Sequence, residues 1–77
     1  MLYRLCEYLI QSLVEHPDAM KIDRIETETV DIFFLRVSKD DRGRILGKGG
    51  RTIGAVRTFL EGVAARFDRE VVIEIVD

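Results

Sequence analysis

Four consecutive residues, Gly47-Lys48-Gly49-Gly50, combine the residue types that bind phosphate groups. Glycine adopts backbone conformations that other residues avoid, and it lets a second backbone approach closely. A helix predicted to begin near Arg51 would add unpaired N–H groups and the positive end of its dipole at the same place. Phosphates bind well at such a helix start. The pattern therefore indicates a loop that binds an anion through its backbone.

Basic residues are concentrated around this loop. Residues 42–60 contain five basic residues and no acid, whereas the remainder has seven basic residues and all fourteen acids. The five are Arg42, Arg44, Lys48, Arg51 and Arg57. A compact basic segment on an acidic body, in a chain of net charge −2, is typical of a local anion-binding site. It also fits a solvated face without a ligand, and charge alone does not decide between the two.

Apolar residues flank the loop on both sides. Ile45, Leu46 and Ile53 either form a floor on which bases lie or belong to the core, and we expect at least one to line a groove. The predicted site comprises Gly47, Lys48, Gly49, Gly50, Arg51, Arg44, Ile45, Leu46 and Ile53. The sequence does not fix which of four further basic residues face the groove: Arg42 and Arg57, whose direction depends on helix phase, and Arg36 and Lys39, at the end of the second predicted strand.

Two other phosphate-binding loops are disfavoured by their spacing. A P-loop needs four residues between its first glycine and Gly-Lys-Ser/Thr, but only three separate Gly43 from Gly47, and Gly49 follows the lysine. A dinucleotide-binding fingerprint needs a third glycine where this chain has Thr52. A bare G-x-x-G is itself weak, because six glycines in 77 residues give roughly one chance match in every two shuffled chains. The setting of the loop therefore carries more weight than its spacing.

The first half of the chain predicts one helix and two strands. Leucines at helical spacing predict a helix from residue 2 to near His16, where Pro17 would end it. Residues 20–28 and 30–38 are typical of strands. A short polar turn between them predicts a hairpin.

The second half places the glycines between two helices. Residues 39–46 predict a short helix with Asp40 or Asp41 as its N-cap. A longer helix is predicted from Arg51 to Phe67, and alternation predicts a strand from Glu70 to Val76. The order α-β-β-α-α-β, in a single domain of residues 1–77, predicts an α+β fold with helices on one face of a three-stranded mixed sheet.

Several classes of protein are disfavoured by composition. No apolar run approaches the roughly 20 residues of a membrane span, and charges interrupt the N-terminal segment as they would not in a signal peptide. The single cysteine, Cys6, allows no internal disulfide and fits a reducing cytoplasm. No cysteine–histidine pair, metal cluster or nucleotide fold is predicted. We therefore expect no enzymatic activity, no metal and no cofactor.

The stretch Ile45-Leu46-Gly47-Lys48-Gly49-Gly50-Arg51-Thr52-Ile53 resembles the signature of KH domains, whose G-x-x-G loop clamps four nucleotides of a single strand. The order of elements is similar to the bacterial type II arrangement, and the resemblance covers nearly the whole chain. Leu46 departs mildly, since the family usually has Ile or Val there. In size and in its last strand, the chain is most similar to stand-alone bacterial KH proteins of the KhpA family.

This resemblance implies a cytoplasmic RNA-binding protein, an RNA chaperone, with no cofactor. It implies a homodimer or a heterodimer with KhpB, a larger KH-domain protein, and a link to cell-wall organisation and cell shape. The leading hypothesis is a single-stranded RNA binder that grips the RNA backbone. The alternative is an assembly module in which RNA binding is secondary, with Val72 and Val76 on the second face of the last strand as a partner surface.

Overall fold

A computed structural model describes residues 2–76. The elements are α1 (Leu2–Gln11), β1 (Lys21–Glu26), β2 (Val30–Arg36), α2 (Lys39–Leu46), α3 (Arg51–Ala65) and β3 (Glu70–Ile75), with 3₁₀ turns at Pro17–Ala19 and Lys48–Gly50. The predicted order and the α+β class are confirmed. Every helix in the described part of the chain is too short or too polar to cross a bilayer.

The three strands form one mixed sheet in the order β1-β2-β3. Strands β1 and β2 form the predicted antiparallel hairpin, in which Ile22 lies opposite Leu35. Strand β3 runs parallel to β2, with Ile73 beside Phe33. A parallel pair needs a long connection, and here α2, the glycine loop and α3 together supply it. The predicted site therefore lies within the crossover.

The core lies between the helices and one face of the sheet. Along β2, Phe33 and Leu35 are buried while Ile32 and Phe34 are half-buried, as expected when alternate residues face opposite sides. The other buried apolar residues are Leu2, Cys6, Ile10, Ile22, Val37, Ile45, Ile53, Val56, Leu60, Ala64, Val71 and Ile73. Helix α1 contributes three of them at four-residue intervals, so a single stripe of this helix faces the sheet.

The prediction that α1 continues to His16 is wrong, because the helix ends at Gln11. Leu13 N donates to Ile10 O at 2.9 Å, an i to i−3 bond that tightens the last turn. The amides of Glu15 and His16 then donate to the side chain of Asp41, each at 2.8 Å, instead of to helix carbonyls. A distant acceptor therefore ends the helix.

The strands are shorter than predicted because polar side chains engage the backbone at their ends. Thr27 Oγ1 accepts the amide of Val30 at 2.8 Å, which closes the hairpin turn. Ser38 is the N-cap of α2, since its Oγ accepts the amide of Asp41 at 3.2 Å. The prediction of Asp40 or Asp41 as the cap is therefore wrong, and Ser38 begins the helix instead of ending β2.

Helix α3 ends two residues before the predicted Phe67. Asp68 has a φ of 56°, a left-handed conformation that turns the chain toward β3. Phe67, expected in the apolar stripe of the helix, is 55 % exposed. The buried stripe of α3 therefore stops at Ala64.

Candidate nucleic-acid interface

The loop between α2 and α3 depends on the backbone freedom of glycine. Gly47, Gly49 and Gly50 have φ values of 69°, 67° and 77°, all in the left-handed region. Gly47 N donates to Gly43 O at 2.9 Å, which ends α2, and Gly50 N donates to Gly47 O at 3.3 Å, which closes the turn. Residues other than glycine rarely adopt these φ values. The shape of the loop therefore explains why three of its four residues are glycine.

The loop packs closely on the start of α3 at one point only. A Cβ added at Gly47 would overlap the side-chain oxygen of Thr52 and lie 2.9 Å from its amide nitrogen. A Cβ at Gly49 or Gly50 would meet nothing within 4 Å. Gly47 is therefore the packed anchor of the loop, whereas Gly49 and Gly50 leave open space above the backbone.

The start of α3 is left open by its own N-cap. Gly50 occupies the N-cap position and has no side chain with which to accept the amides of the first turn. Lys48 lies within the loop, Arg51 is the first residue of α3, and both side chains are exposed. An anion bound at this point would contact N–H groups, the positive end of the helix dipole and the exposed side chains of Lys48 and Arg51.

Arg44, the third predicted cation, is directed toward the acidic body of the protein. Its Nη2 lies 3.0 Å from Glu15 Oε1, and its Nε lies 3.4 Å from Asp41 Oδ1. The guanidinium remains about half exposed, with 47 % of the side chain accessible. The structure therefore places Arg44 beside the loop but pairs it with two carboxylates.

Arg57 binds the free edge of the sheet. The amides of Glu70 and Val76 donate to the carbonyls of Thr29, just before β2, and of Leu35 within it. Ile73 is out of phase with these two residues, so its backbone groups point away from β2. Arg57 Nη2 donates to Ile73 O at 3.0 Å and covers one of these edge carbonyls. This arginine therefore links α3 to β3, a role that the sequence analysis missed.

Three other basic residues, Arg36, Lys39 and Arg42, lie in different parts of the fold. Arg36 is exposed and shares the outer face of β2 with Ile32 and Phe34, opposite to the face that the helices cover. Lys39 is the first residue of α2, at the end of the helix away from the glycines. Arg42 is half-buried within α2. Arg36 is thus on the face of the sheet that the helices leave uncovered, and Lys39 is at the end of α2 opposite to the loop.

Of the three apolar residues expected beside the loop, only Leu46 presents a surface. Leu46 is 40 % exposed, whereas Ile45 and Ile53 are 0 % and 2 % exposed and belong to the core. The reason is that Ile45 and Ile53 anchor the two helices on either side of the glycines. A floor for bases made of all three residues is therefore wrong, and Leu46 alone remains beside the loop.

Asp41 connects the interface to the rest of the molecule. Its carboxylate is fully buried and accepts the amides of Glu15 and His16 as well as the Ser38 hydroxyl. Burial raises the pKa of this carboxyl, but these hydrogen bonds outweigh it and hold the pKa below its ordinary value. The sequence offered one hint of this role, the Ser38-x-x-Asp41 spacing of a helix start.

Known proteins are similar to this chain over nearly its whole length. Residues 4–75 match the model of a family described as KhpA/KhpB, KH domain. The chain is 44 % identical to the RNA-binding protein KhpA of Borreliella burgdorferi over 73 residues, which cover 95 % of this chain and 89 % of the relative. It is 41 % identical to the RNA-binding protein KhpA of Chlamydia pneumoniae over 70 residues, with 91 % and 90 % covered.

A third relative agrees with these two. The RNA-binding protein KhpA of Listeria monocytogenes is 38 % identical over 69 residues, which cover 90 % of this chain and 91 % of the relative. The matched region includes all elements from α1 to β3, apart from the first two residues of α1, and the whole glycine loop. With its mixed three-stranded sheet and its loop between two helices, the chain belongs to the KhpA/KhpB family of KH domains.

Proposed function

We propose that this protein binds single-stranded RNA and holds the RNA backbone with Gly47–Gly50 at the start of α3. The observation that carries the proposal is the geometry of the loop: three glycines with positive φ, an N-cap without a side chain, and exposed Lys48 and Arg51. Relatives that match nearly the whole chain are named RNA-binding proteins, which supports RNA as the ligand. Contacts to the phosphates and sugars would carry most of the affinity.

The burial and contacts of individual residues support a different proposed role for each. Backbone amides, Lys48 and Arg51 would bind phosphates, and Leu46 would contact a base. Ile45 and Ile53 act indirectly, because their burial fixes the helices that flank the loop. Arg44 would join the phosphate contacts only after leaving Glu15. A loop with one exposed apolar residue beside it favours a binder with little base preference.

The test is a titration of a short fluorescent single-stranded RNA at two salt concentrations. Wild-type binding should weaken as salt rises, because phosphate contacts release counterions. A Lys48→Asp/Gly49→Asp variant should lose binding by at least about tenfold. The variant should fold, because Gly49 has open space around it and aspartate tolerates the left-handed region better than most residues.

A matched control separates the loop from net charge. Lys39→Asp/Thr29→Asp makes the same change in net charge at exposed positions away from the glycines. It should reduce affinity far less than the loop variant. Unchanged RNA affinity in the loop variant, or equal losses in the two variants, would contradict the proposal.

A second candidate function is assembly with another protein chain. Ile25, Ile32 and Val72 lie in register across the outer face of the sheet, and Ile25 and Val72 are 51 % and 39 % exposed. Val76, the other valine of the expected partner surface, is half-buried. An apolar row on a face that the helices leave uncovered favours a partner, either a second copy or the larger KhpB.

Mass measurement in solution tests the assembly function. A Val72→Glu variant should shift an oligomeric wild-type protein toward the monomer, while Ala65→Glu, at an exposed position on α3, should not. A wild-type protein that stays monomeric alone and with KhpB would count against this function. RNA chaperone activity, cytoplasmic location and the link to cell-wall organisation and cell shape stay predictions, and strand-annealing assays address the first of them.

A further inference from the structure

Asp41 is a buried carboxylate of α2 that is surrounded by hydrogen-bond donors. It is 0 % exposed, with Oδ1 accepting the amide of Glu15 and Oδ2 accepting the amide of His16, both at 2.8 Å. The Ser38 hydroxyl donates to Oδ2 at 3.2 Å, and Arg44 Nε lies 3.4 Å from Oδ1. Four donors from three parts of the chain thus converge on one buried carboxylate.

Helix α2 is short, and few of its side chains are buried. It has eight residues, includes a glycine at position 43, and buries only Asp41 and Ile45. These two residues are four positions apart and therefore lie on the same face of the helix. Ile45 supplies apolar contact without direction, whereas the hydrogen bonds of Asp41 are directional. Asp41 therefore restricts the rotation of α2 about its axis.

The opposite end of the same helix is the loop. Gly47 ends α2 through its bond to Gly43 O, about 9 Å along the helix axis from Asp41. Gly47 also packs against Thr52, where there is no space for even one additional carbon atom. A small rotation of α2 would therefore move Gly47 relative to the start of α3 and change the spacing of the loop amides.

We propose that Asp41 is a positioning residue for the loop: by accepting the amides of Glu15 and His16, its carboxylate fixes α2 against the segment after α1 and so places Gly47–Gly50 at the start of α3. The lowered pKa of Asp41 agrees, since the fold favours its charged form. The inference rests on the proposed RNA binding for its consequence, but its structural part does not depend on RNA.

The decisive variant is Asp41→Asn, which keeps the size of the side chain but replaces one acceptor oxygen with an NH₂ donor. That donor would face either the Glu15 or the His16 amide, so one hydrogen bond is lost. The matched control is Asp31→Asn. Asp31 is the other buried carboxylate among the described residues, 4 % exposed, and it pairs with Arg69 away from the loop.

Two measurements are made on each variant: amide hydrogen exchange by NMR and affinity for a short single-stranded RNA. In Asp41→Asn we expect faster exchange at the hydrogen-bonded amides of residues 15, 16, 47 and 50, unchanged exchange in β2, and RNA affinity lower by about fivefold. In Asp31→Asn we expect a lower melting temperature with unchanged loop exchange and unchanged RNA affinity. A general loss of stability would instead lower the RNA affinity of the two variants equally.

Each alternative outcome has a defined meaning. The inference would be overturned if the loop amides exchanged as slowly in Asp41→Asn as in the wild type. It would also be overturned if both variants lost RNA affinity equally. If the wild-type protein binds no RNA, the proposed function fails, while loop exchange still decides the role of Asp41. Should Asp41→Asn not fold, the comparison is repeated in a Gly43→Ala background, because Gly43 has open space for a methyl group and alanine favours the helix.

Discussion

Arg69 and Asp31 form a bidentate pair that joins the start of β3 to the hairpin of β1 and β2. Arg69 Nε lies 2.9 Å from Asp31 Oδ2, and Nη2 lies 3.1 Å from Oδ1. The guanidinium also donates to the carbonyls of Glu28 and Thr27, each at 2.8 Å. The pairing with Asp31 raises the pKa of Arg69 above its ordinary value. Four acceptors from the hairpin thus hold one side chain at the entrance to β3.

Replacing Arg69 with glutamine should destabilise the protein without affecting RNA binding. The change leaves Asp31 as a buried carboxylate without its cation, which is costly. We expect the melting temperature to fall on the order of 10 °C, measured by circular dichroism. Arg66→Gln, at an exposed position three residues earlier, should change it by about 2 °C or less. Similar shifts in the two variants would show that the pair with Asp31 adds little.

Gly43, inside α2, and Gly47, at its C-terminal end, should respond to alanine in opposite directions. Gly43 lies inside α2 with open space for a Cβ, so Gly43→Ala should stabilise the protein by about 0.5–1 kcal/mol. Gly47 has a φ of 69° and packs on Thr52, so Gly47→Ala should destabilise it by about 1–3 kcal/mol and weaken RNA binding. Urea unfolding measures both changes. A neutral Gly47→Ala would mean that the loop accommodates another conformation.

Sequence periodicity predicted the element order because hydrophobic patterning determines which residues face the core. It failed where distant residues decide local structure. The end of α1 depends on Asp41, which lies 25 residues beyond His16 in the sequence, and no local pattern reveals such an acceptor. The directions of Arg44 and Arg57 depend likewise on Glu15 and on the Ile73 carbonyl. For the loop, local chemistry sufficed, because positive φ values demand glycine.

Acid should remove the stabilisation that Asp41 provides. Its pKa in the folded protein is lower than the ordinary value of 3.8, so the folded state holds this proton less tightly than the unfolded state. Asp41 therefore contributes its full stabilisation above about pH 4. This stabilisation is lost as the pH falls through the lower pKa that Asp41 has in the folded protein. Urea unfolding of the wild type and Asp41→Asn between pH 6 and pH 2 should show a stability difference that shrinks with acid. A constant difference would contradict this account.

Cys6 should react slowly with thiol reagents while the protein is folded. Burial raises the pKa of this thiol to about 11, and the neighbouring Glu7 carboxylate adds to the shift. The reactive thiolate is therefore scarce at pH 8, and the side chain is also 0 % exposed. Absorbance assays with a disulfide reagent should give a slow reaction in buffer and a fast one in urea. Equal rates would show that α1 opens readily around Cys6.

Removing the carboxylate of Glu15 should strengthen RNA binding. Glu15 Oε1 lies 3.0 Å from Arg44 Nη2 and competes with any phosphate for that guanidinium. In Glu15→Gln, Arg44 would keep only its longer contact with Asp41 and could turn toward the loop. We expect about two- to fivefold tighter RNA binding at low salt, a steeper salt dependence, and little change in stability because exposed ion pairs contribute little.

Two further variants assign that gain to Arg44. Glu28→Gln makes the same charge change in the hairpin turn and should raise affinity only slightly, through long-range electrostatics. In an Arg44→Gln background, Glu15→Gln should give no more than this small effect, because no guanidinium remains to be released. If Glu15→Gln tightens binding equally with and without Arg44, the gain comes from net charge alone. Only a gain that disappears with Arg44 identifies Glu15 as a competitor of the RNA phosphate.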